Sequence, residues 1–167
     1  MLMARRSVHT LPAALAAKGL HDSVTLALLK PDLLASPHTV RNIVGEIQRT
    51  PGLRIVGRAG LFWTRAQAEA FYHEHSGRFF FRRLVAYMTS GPIEALALRG
   101  PRAVARWREM MGSTHPVRMR VANPACLRAR YGLTDTRNSF HGSDSLASAA
   151  RELAFVFGEQ ALREMAS

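Results

Sequence analysis

The chain reads as an α+β domain of ferredoxin-like βαββαβ order, a four-stranded antiparallel sheet with helices on its faces. Three observations predict it. Strand readings stand at residues 24–29, a short apolar run, at 53–63, which alternates imperfectly, and at 93–98. Stretches with apolar residues at helical spacing separate them, as in Val40, Ile43, Val44 and Ile47. The resulting order of strand, helix, strand, helices, strand, helix, short strand and helix is the one such a sheet requires. With 167 residues, 47% of them apolar and 21% charged, the chain can bury a core without cross-links.

Residues 1–21 hold Arg5, Arg6 and Lys18 and no acid, the pattern of a mitochondrial transit peptide, so the domain proper is expected over residues 22–167. The run Val24-Thr25-Leu26-Ala27-Leu28-Leu29 suits a strand buried on both sides, and Pro31 turns the chain out of the sheet. Lys30 therefore ends a central strand, either solvated or aimed into a cleft. A helix is expected over 40–48, closed by Pro51-Gly52, and the next strand carries Gly57 and Gly60, which permit a bulge. Thr64 caps a helix over 65–75, a second follows over 80–88, and Gly91-Pro92 ends it. After the strand at 93–98, residues 103–111 have a helical face. Residues 112–138 lose periodicity and read as a long functional loop. A final helix turns Leu146, Ala149, Ala150, Leu153 and Phe157 inward, and a short charged tail follows.

Composition narrows the chemistry. The single Cys126 excludes an intramolecular disulfide and a cysteine-rich zinc site, no apolar run approaches the roughly 20 residues of a membrane span, and no G-x-x-x-x-G-K-[ST] loop occurs. The net charge of +11 points to polyanionic partners. Eight arginines crowd between Arg99 and Arg130 against one acid, Glu109. Arginine's fixed fork of donors favours phosphate. Near the last helix, Asn138-Ser139-Phe140-His141-Gly142-Ser143-Asp144-Ser145 sets a histidine beside a glycine and a helix cap. The histidine reads equally as a packed member of a capping turn and as a nucleophile steered by hydroxyls, with Gly142 letting a ligand approach.

Further motifs accompany that turn in order: Leu29-Lys30-Pro31-Asp32; Phe71-Tyr72 with Gly77-Arg78-Phe79-Phe80-Phe81; Tyr87-Met88-Thr89-Ser90-Gly91-Pro92; Met111-Gly112-Ser113-Thr114; and Arg137-Asn138 leading into His141. On these motifs the chain resembles a nucleoside diphosphate kinase over about residues 24–157. Gly132-Leu133-Thr134-Asp135-Thr136-Arg137-Asn138 is similar to the divergent type-six branch, whose members are associated with mitochondria.

The resemblance implies a ping-pong transfer of a terminal phosphate between nucleoside tri- and diphosphates through phosphorylated His141. It implies that Ser143 and Glu152 hold the histidine ring, that Lys30 and Tyr72 lie near the transferred phosphate, and that Arg108, Thr114 and Arg128 grip the others. Asn138 would meet the sugar hydroxyls, and Phe80 and Leu84 would clamp the base. Mg²⁺ would arrive on the nucleotide's phosphates, with no metal ligand in the protein. Such roles suit phosphoryl transfer, which asks for alignment and charge neutralisation, and stacking on Phe80 would discriminate weakly among bases.

Three departures from the family pattern bear on these expectations. The segment between Thr114 and Arg128 is about three residues longer, Asp135 replaces an apolar residue expected against the base, and the extension after Phe157 is short. A monomer or lower oligomer is expected in place of a hexamer. Three readings follow: an active kinase, of activity that these departures could lower; a nucleotide-binding or scaffolding protein acting through a mitochondrial partner; and a nucleic-acid binder built on the arginine cluster. A mitochondrial location, in the matrix, fits the leader; a cytoplasmic one is the alternative.

Overall fold

The computed structural model of the protein describes residues 22–166, so the leader expected over residues 1–21 lies outside the described residues. Strand β1 (Asp22–Leu29) has every residue from Val24 to Leu29 buried. It pairs antiparallel with β3 (Ile93–Pro101) on one side and with the short β4 (Phe140–Gly142) on the other. Strand β2 (Arg54–Leu61) pairs with β3 at the edge, giving the order β2-β3-β1-β4. The register of β2 shifts between Ile55 and Gly57, the bulge its glycines permit.

Period-two alternation divides the apolar residues between two faces, and helices cover both. Val24, Leu26, Leu28, Ala95 and Ala97 form one core with α3 (Arg65–Phe71), α4 (Phe81–Met88) and α8 (Leu146–Phe157). Ala27, Leu29, Leu96 and Leu98 form the other with α2 (Pro37–Arg49) and α5 (Ala103–Met111). The pairing of Leu28 with His141 and Leu29 with Phe140 turns His141 to the Leu28 side of the sheet. Lys30 lies two residues beyond Leu28 and continues the same alternation, its amide donating to Ser139 O at 3.0 Å. The end of a central strand and the start of a short edge strand thus present a lysine and a histidine to one cleft.

Several elements differ from the sequence reading. Residues 112–138 are no loop: they hold α6 (Pro116–Ala122) and α7 (Leu127–Tyr131). In α6 only Pro116 is buried, and α7 has five residues, so neither builds the apolar stripe by which a helix is recognised. The expected charged tail is α9 (Glu159–Ala166), which buries Leu162 and packs Met165 against the first core. Pro31 starts a one-turn helix, α1 (Pro31–Leu34), and α3 stops at Phe71, with a 3₁₀ turn over His73–His75.

Gly142 has a role the sequence did not disclose. Trp107 of α5 is fully buried and donates from Nε1 to His141 O at 3.0 Å, locking β4 onto the second core. A Cβ on Gly142 would stand 2.5 Å from both Trp107 Cδ1 and Met111 Cε, so the absent side chain accommodates the indole. Gly142→Ala is expected to cost about 1–3 kcal/mol of stability, since an immobile ring must move to admit the methyl. A urea midpoint equal to that of the wild type would contradict this packing.

Candidate functional site

His141 is held from two sides. Its carbonyl receives the Trp107 indole, and its ring Nε2 donates to Glu152 Oε2 at 2.9 Å. The Ser143 hydroxyl donates to the same carboxylate oxygen at 2.7 Å and accepts from Leu26 N at 3.3 Å, which ties the pair to the central strand. Glu152 reaches this place because Ser145 caps α8, its hydroxyl accepting from Ser148 N at 3.1 Å. Burial pushes the Glu152 carboxyl up, but the hydrogen bond and charge of His141, with the Ser143 hydroxyl, outweigh it and hold the group below its ordinary value. With Nε2 committed as donor, the ring's lone pair lies on Nδ1.

Two cavity lobes meet at this ring. The larger, about 840 Å³, is lined by Lys30, Phe79, Phe80, Leu84, Val117 and Leu133. The other, about 720 Å³, is lined by Arg108, Ser113, Asp144, Arg151 and Glu152. Tyr72, His75, Thr114, Arg128 and His141 line both. One lobe therefore offers aromatic and aliphatic surface and the other mostly charged and hydroxylic groups.

The junction is short of acceptors. Lys30 is buried, and its Nζ donates to Asn138 Oδ1 at 2.8 Å. Burial, and then the charge of Arg128, bring the Lys30 ammonium down to about 7, with Asp32 opposing the fall. Arg128 donates to Gly112 O, at 2.7 Å, and Phe140 O, at 3.0 Å, while its buried Nε has no partner among the described residues. Burial and the neighbouring Arg108 lower it to about 10. The Tyr72 hydroxyl is also buried without a partner among the described residues, and burial, followed by Glu152, pushes its ionisation up, so it stays a neutral donor. Unsatisfied buried donors are rare and costly. Donors grouped near a histidine nitrogen in this way suit an anionic ligand.

The residues singled out from sequence are brought together. His141, Tyr72, Thr114 and Arg128 stand at the junction, Lys30, Phe80, Leu84 and Asn138 in the larger lobe, and Arg108 in the smaller. Ser143 and Glu152 stand behind the histidine ring. Asn138 lines the larger lobe and, although buried, also holds Lys30, its Nδ2 donating to Asp135 O at 3.0 Å.

Sequence reasoning missed Asp32, which accepts from both Tyr87 Oη and Ser139 Oγ and so braces the turn below Lys30. Its place in Lys30-Pro31-Asp32 was the available signal. Trp107 read only as part of the inward face of the 103–111 helix, and Val117, exposed in the larger lobe, sits in a stretch without periodicity.

The arginine cluster disperses in three dimensions. Arg99 pairs with Asp22, Arg102 with Glu109 and Arg130 with Glu46. Arg106 donates to Pro51 O, and Arg120 to Ala129 O and Gly132 O. With Arg128 in the cleft floor, six of the eight are engaged within the protein, and Arg108 is the other that lines the cleft. The run in sequence is thus divided among ion pairs, backbone carbonyls and the cleft.

Comparison with known proteins agrees with this geometry. The family model described as nucleoside diphosphate kinase matches residues 23–162. Nucleoside diphosphate kinase 6 of Danio rerio is 47% identical over 141 residues, 84% of this chain and 79% of the relative. The Homo sapiens protein of that name is 46% identical over 134 residues, 80% and 72% of the two chains. Among solved structures, the Aquifex aeolicus nucleoside diphosphate kinase superposes with a TM-score of 0.79 at 32% identity, covering 83% of this chain and 97% of that one. The Encephalitozoon cuniculi enzyme gives 0.76 at 27% identity, covering 83% and 90%. The chain belongs to the nucleoside diphosphate kinase family, in its type-six branch.

Proposed function

We propose that the protein transfers the terminal phosphate of a nucleoside triphosphate to a nucleoside diphosphate in two half-reactions through His141. The observation that carries this reading is the ring's arrangement: Nε2 pinned to Glu152, and the ring set in the wall of a cavity that Tyr72, Arg128 and Lys30 also line. In the first half-reaction the Nδ1 lone pair attacks the γ-phosphorus, the bond to the bridging oxygen breaks, and the diphosphate leaves with that oxygen. In the second, a different diphosphate's terminal oxygen attacks the phosphorus, and the electron pair of the N–P bond returns to Nδ1.

Each neighbour has a task. Glu152 stabilises the charge that grows on the ring as the N–P bond forms, keeping the Nε2 proton in place. Lys30, Arg128 and the Tyr72 hydroxyl offset charge on the phosphoryl oxygens, while Arg108 and Thr114 hold the remaining phosphates. Magnesium belongs to the substrate, entering with the nucleotide's phosphates. The base lies in the apolar lobe against Phe80 and Leu84. The basic, acid-free leader supports action in mitochondria, and the lengthened segment before Arg128 supports a monomer or lower oligomer; a light-scattering mass of six subunits contradicts the latter.

Incubation with ATP labelled on the γ-phosphate is expected to label the protein in a form stable to alkali and lost in acid, and the label should pass to added GDP. His141→Ala should abolish both signals, and label retained by that variant refutes the assigned nucleophile.

Glu152→Gln keeps a hydrogen-bond acceptor but not the charge, and is expected to slow phosphorylation of His141 by about 10–100-fold. Unchanged single-turnover rates would remove Glu152 from the mechanism.

Lys30 makes binding pH-dependent. A bound phosphate favours its charged form, so above pH about 7 nucleotide binding takes up a proton. The sign for the free protein follows from the lowered folded-state value: the cost of burying the ammonium is complete below about 7 and is relieved as pH rises toward the ordinary 10.5. Calorimetry at pH 8 in two buffers of different ionisation heat is expected to reveal the uptake. Lys30→Met should remove it, slow transfer on the order of a hundredfold and stabilise the free protein at pH 6. Proton uptake unchanged in Lys30→Met would assign it to another group.

A further inference from the structure

The apolar lobe holds one feature that a stacking site does not need. Asp135 lines it together with Phe79, Phe80 and Leu133, and its side chain is 67% exposed. Its Oδ2 lies 3.0 Å from Nδ1 of His115, which enters the same lobe from the segment before α6. The backbone beneath it is fixed. Leu133 N donates to Arg137 O at 2.8 Å, and Arg137 N donates to Thr134 Oγ1 at 3.0 Å, closing the turn that carries Asp135. Asn138 then links the Asp135 carbonyl, through its amide, to the Lys30 ammonium. One buried side chain therefore spaces this carboxylate from the phosphate end of the cleft.

We propose that Asp135 reads the edge of the base and makes the cleft selective for guanine nucleotides; the inference rests on the reading of the cleft as a nucleotide site. Rings that only stack on Phe80 and Leu84 are distinguished weakly, because every base has an apolar face. A carboxylate is an acceptor alone. Guanine presents N1–H and the 2-amino group side by side, two parallel donors that match two carboxylate oxygens as an arginine fork does. Adenine and cytosine offer one amino group beside a ring nitrogen whose lone pair the carboxylate repels. Uracil offers one N–H between two carbonyls. His115 steadies the carboxylate through one oxygen, and that oxygen keeps a second lone pair. Water competes at so exposed a group, which keeps the selectivity moderate.

The test is equilibrium binding of the magnesium complexes of ADP, GDP, CDP and UDP to the full-length protein and to its Asp135→Val and Asp135→Asn variants. GDP is expected to bind about tenfold more tightly than the other three. Asp135→Val should bring the four within about twofold, and Asp135→Asn, which keeps the shape but offers one acceptor, should lose most of the preference. Equal binding of all four by the wild type, or a GDP preference that survives in Asp135→Val, overturns the proposal. So does a uniform gain for all four nucleotides in Asp135→Val, which would mean the carboxylate only repels phosphates. Binding does not require transfer, so a GDP preference lost in Asp135→Val without label transfer through His141 sinks the kinase reading and leaves this one. Absence of binding to any of the four overturns both.

Discussion

The hydrogen bond from His141 Nε2 to Glu152 is the constraint on which the rest of the site depends. A histidine can present either nitrogen as a nucleophile, and the one left without the proton is decided by what the other touches. Here a buried carboxylate, also held by Ser143, makes that decision, and Leu26 N ties Ser143 to the central strand. The cap at Ser145 sets the rotation of α8 that brings Glu152 under the ring, and Trp107 fixes the backbone of His141 from the opposite face. The chemistry thus rests on β1, β4, α5 and α8, which are packed elements and not mobile loops.

The cost of this arrangement is visible in electrostatics. Lys30 and Arg128 are buried near each other, and both are pushed below their ordinary values by that burial and by positive neighbours. Tyr72 keeps in the same place a hydroxyl with no partner among the described residues. Lys30 and Arg128 each keep hydrogen bonds within the protein, and an anion in the cleft would add a favourable opposite charge. The free protein carries the desolvation in advance, and donors fixed in this way suit an anion without reorganisation.

Much of this was legible in the sequence, for identifiable reasons. The buried run at 24–29, the helical face of Val40, Ile43, Val44 and Ile47, and the cap before Leu146 each announce their element through local pattern, and the structure has them. The separated motifs fixed which residues converge, and His141, Lys30, Tyr72 and Arg128 do converge. What stayed hidden depends on partners far along the chain. The segment of α6 and α7 has no apolar stripe, because α6 lies on the surface and α7 is short. Gly142 read as room for a ligand, but its neighbour is Trp107, over thirty positions away. The arginine run read as one basic patch because spacing in sequence does not reveal that Arg99 and Arg130 pair with Asp22 and Glu46 and that Arg120 donates to backbone carbonyls.

The central claim is that Glu152 commits Nε2, so that Nδ1 of His141 receives the phosphate. Nitrogen-15 NMR of histidine-labelled protein, recorded before and after reaction with ATP, tests it directly. The account predicts that phosphorus coupling appears on Nδ1 of His141 while Nε2 keeps its proton. Phosphorus bound to Nε2, with Nδ1 carrying the proton, would contradict it.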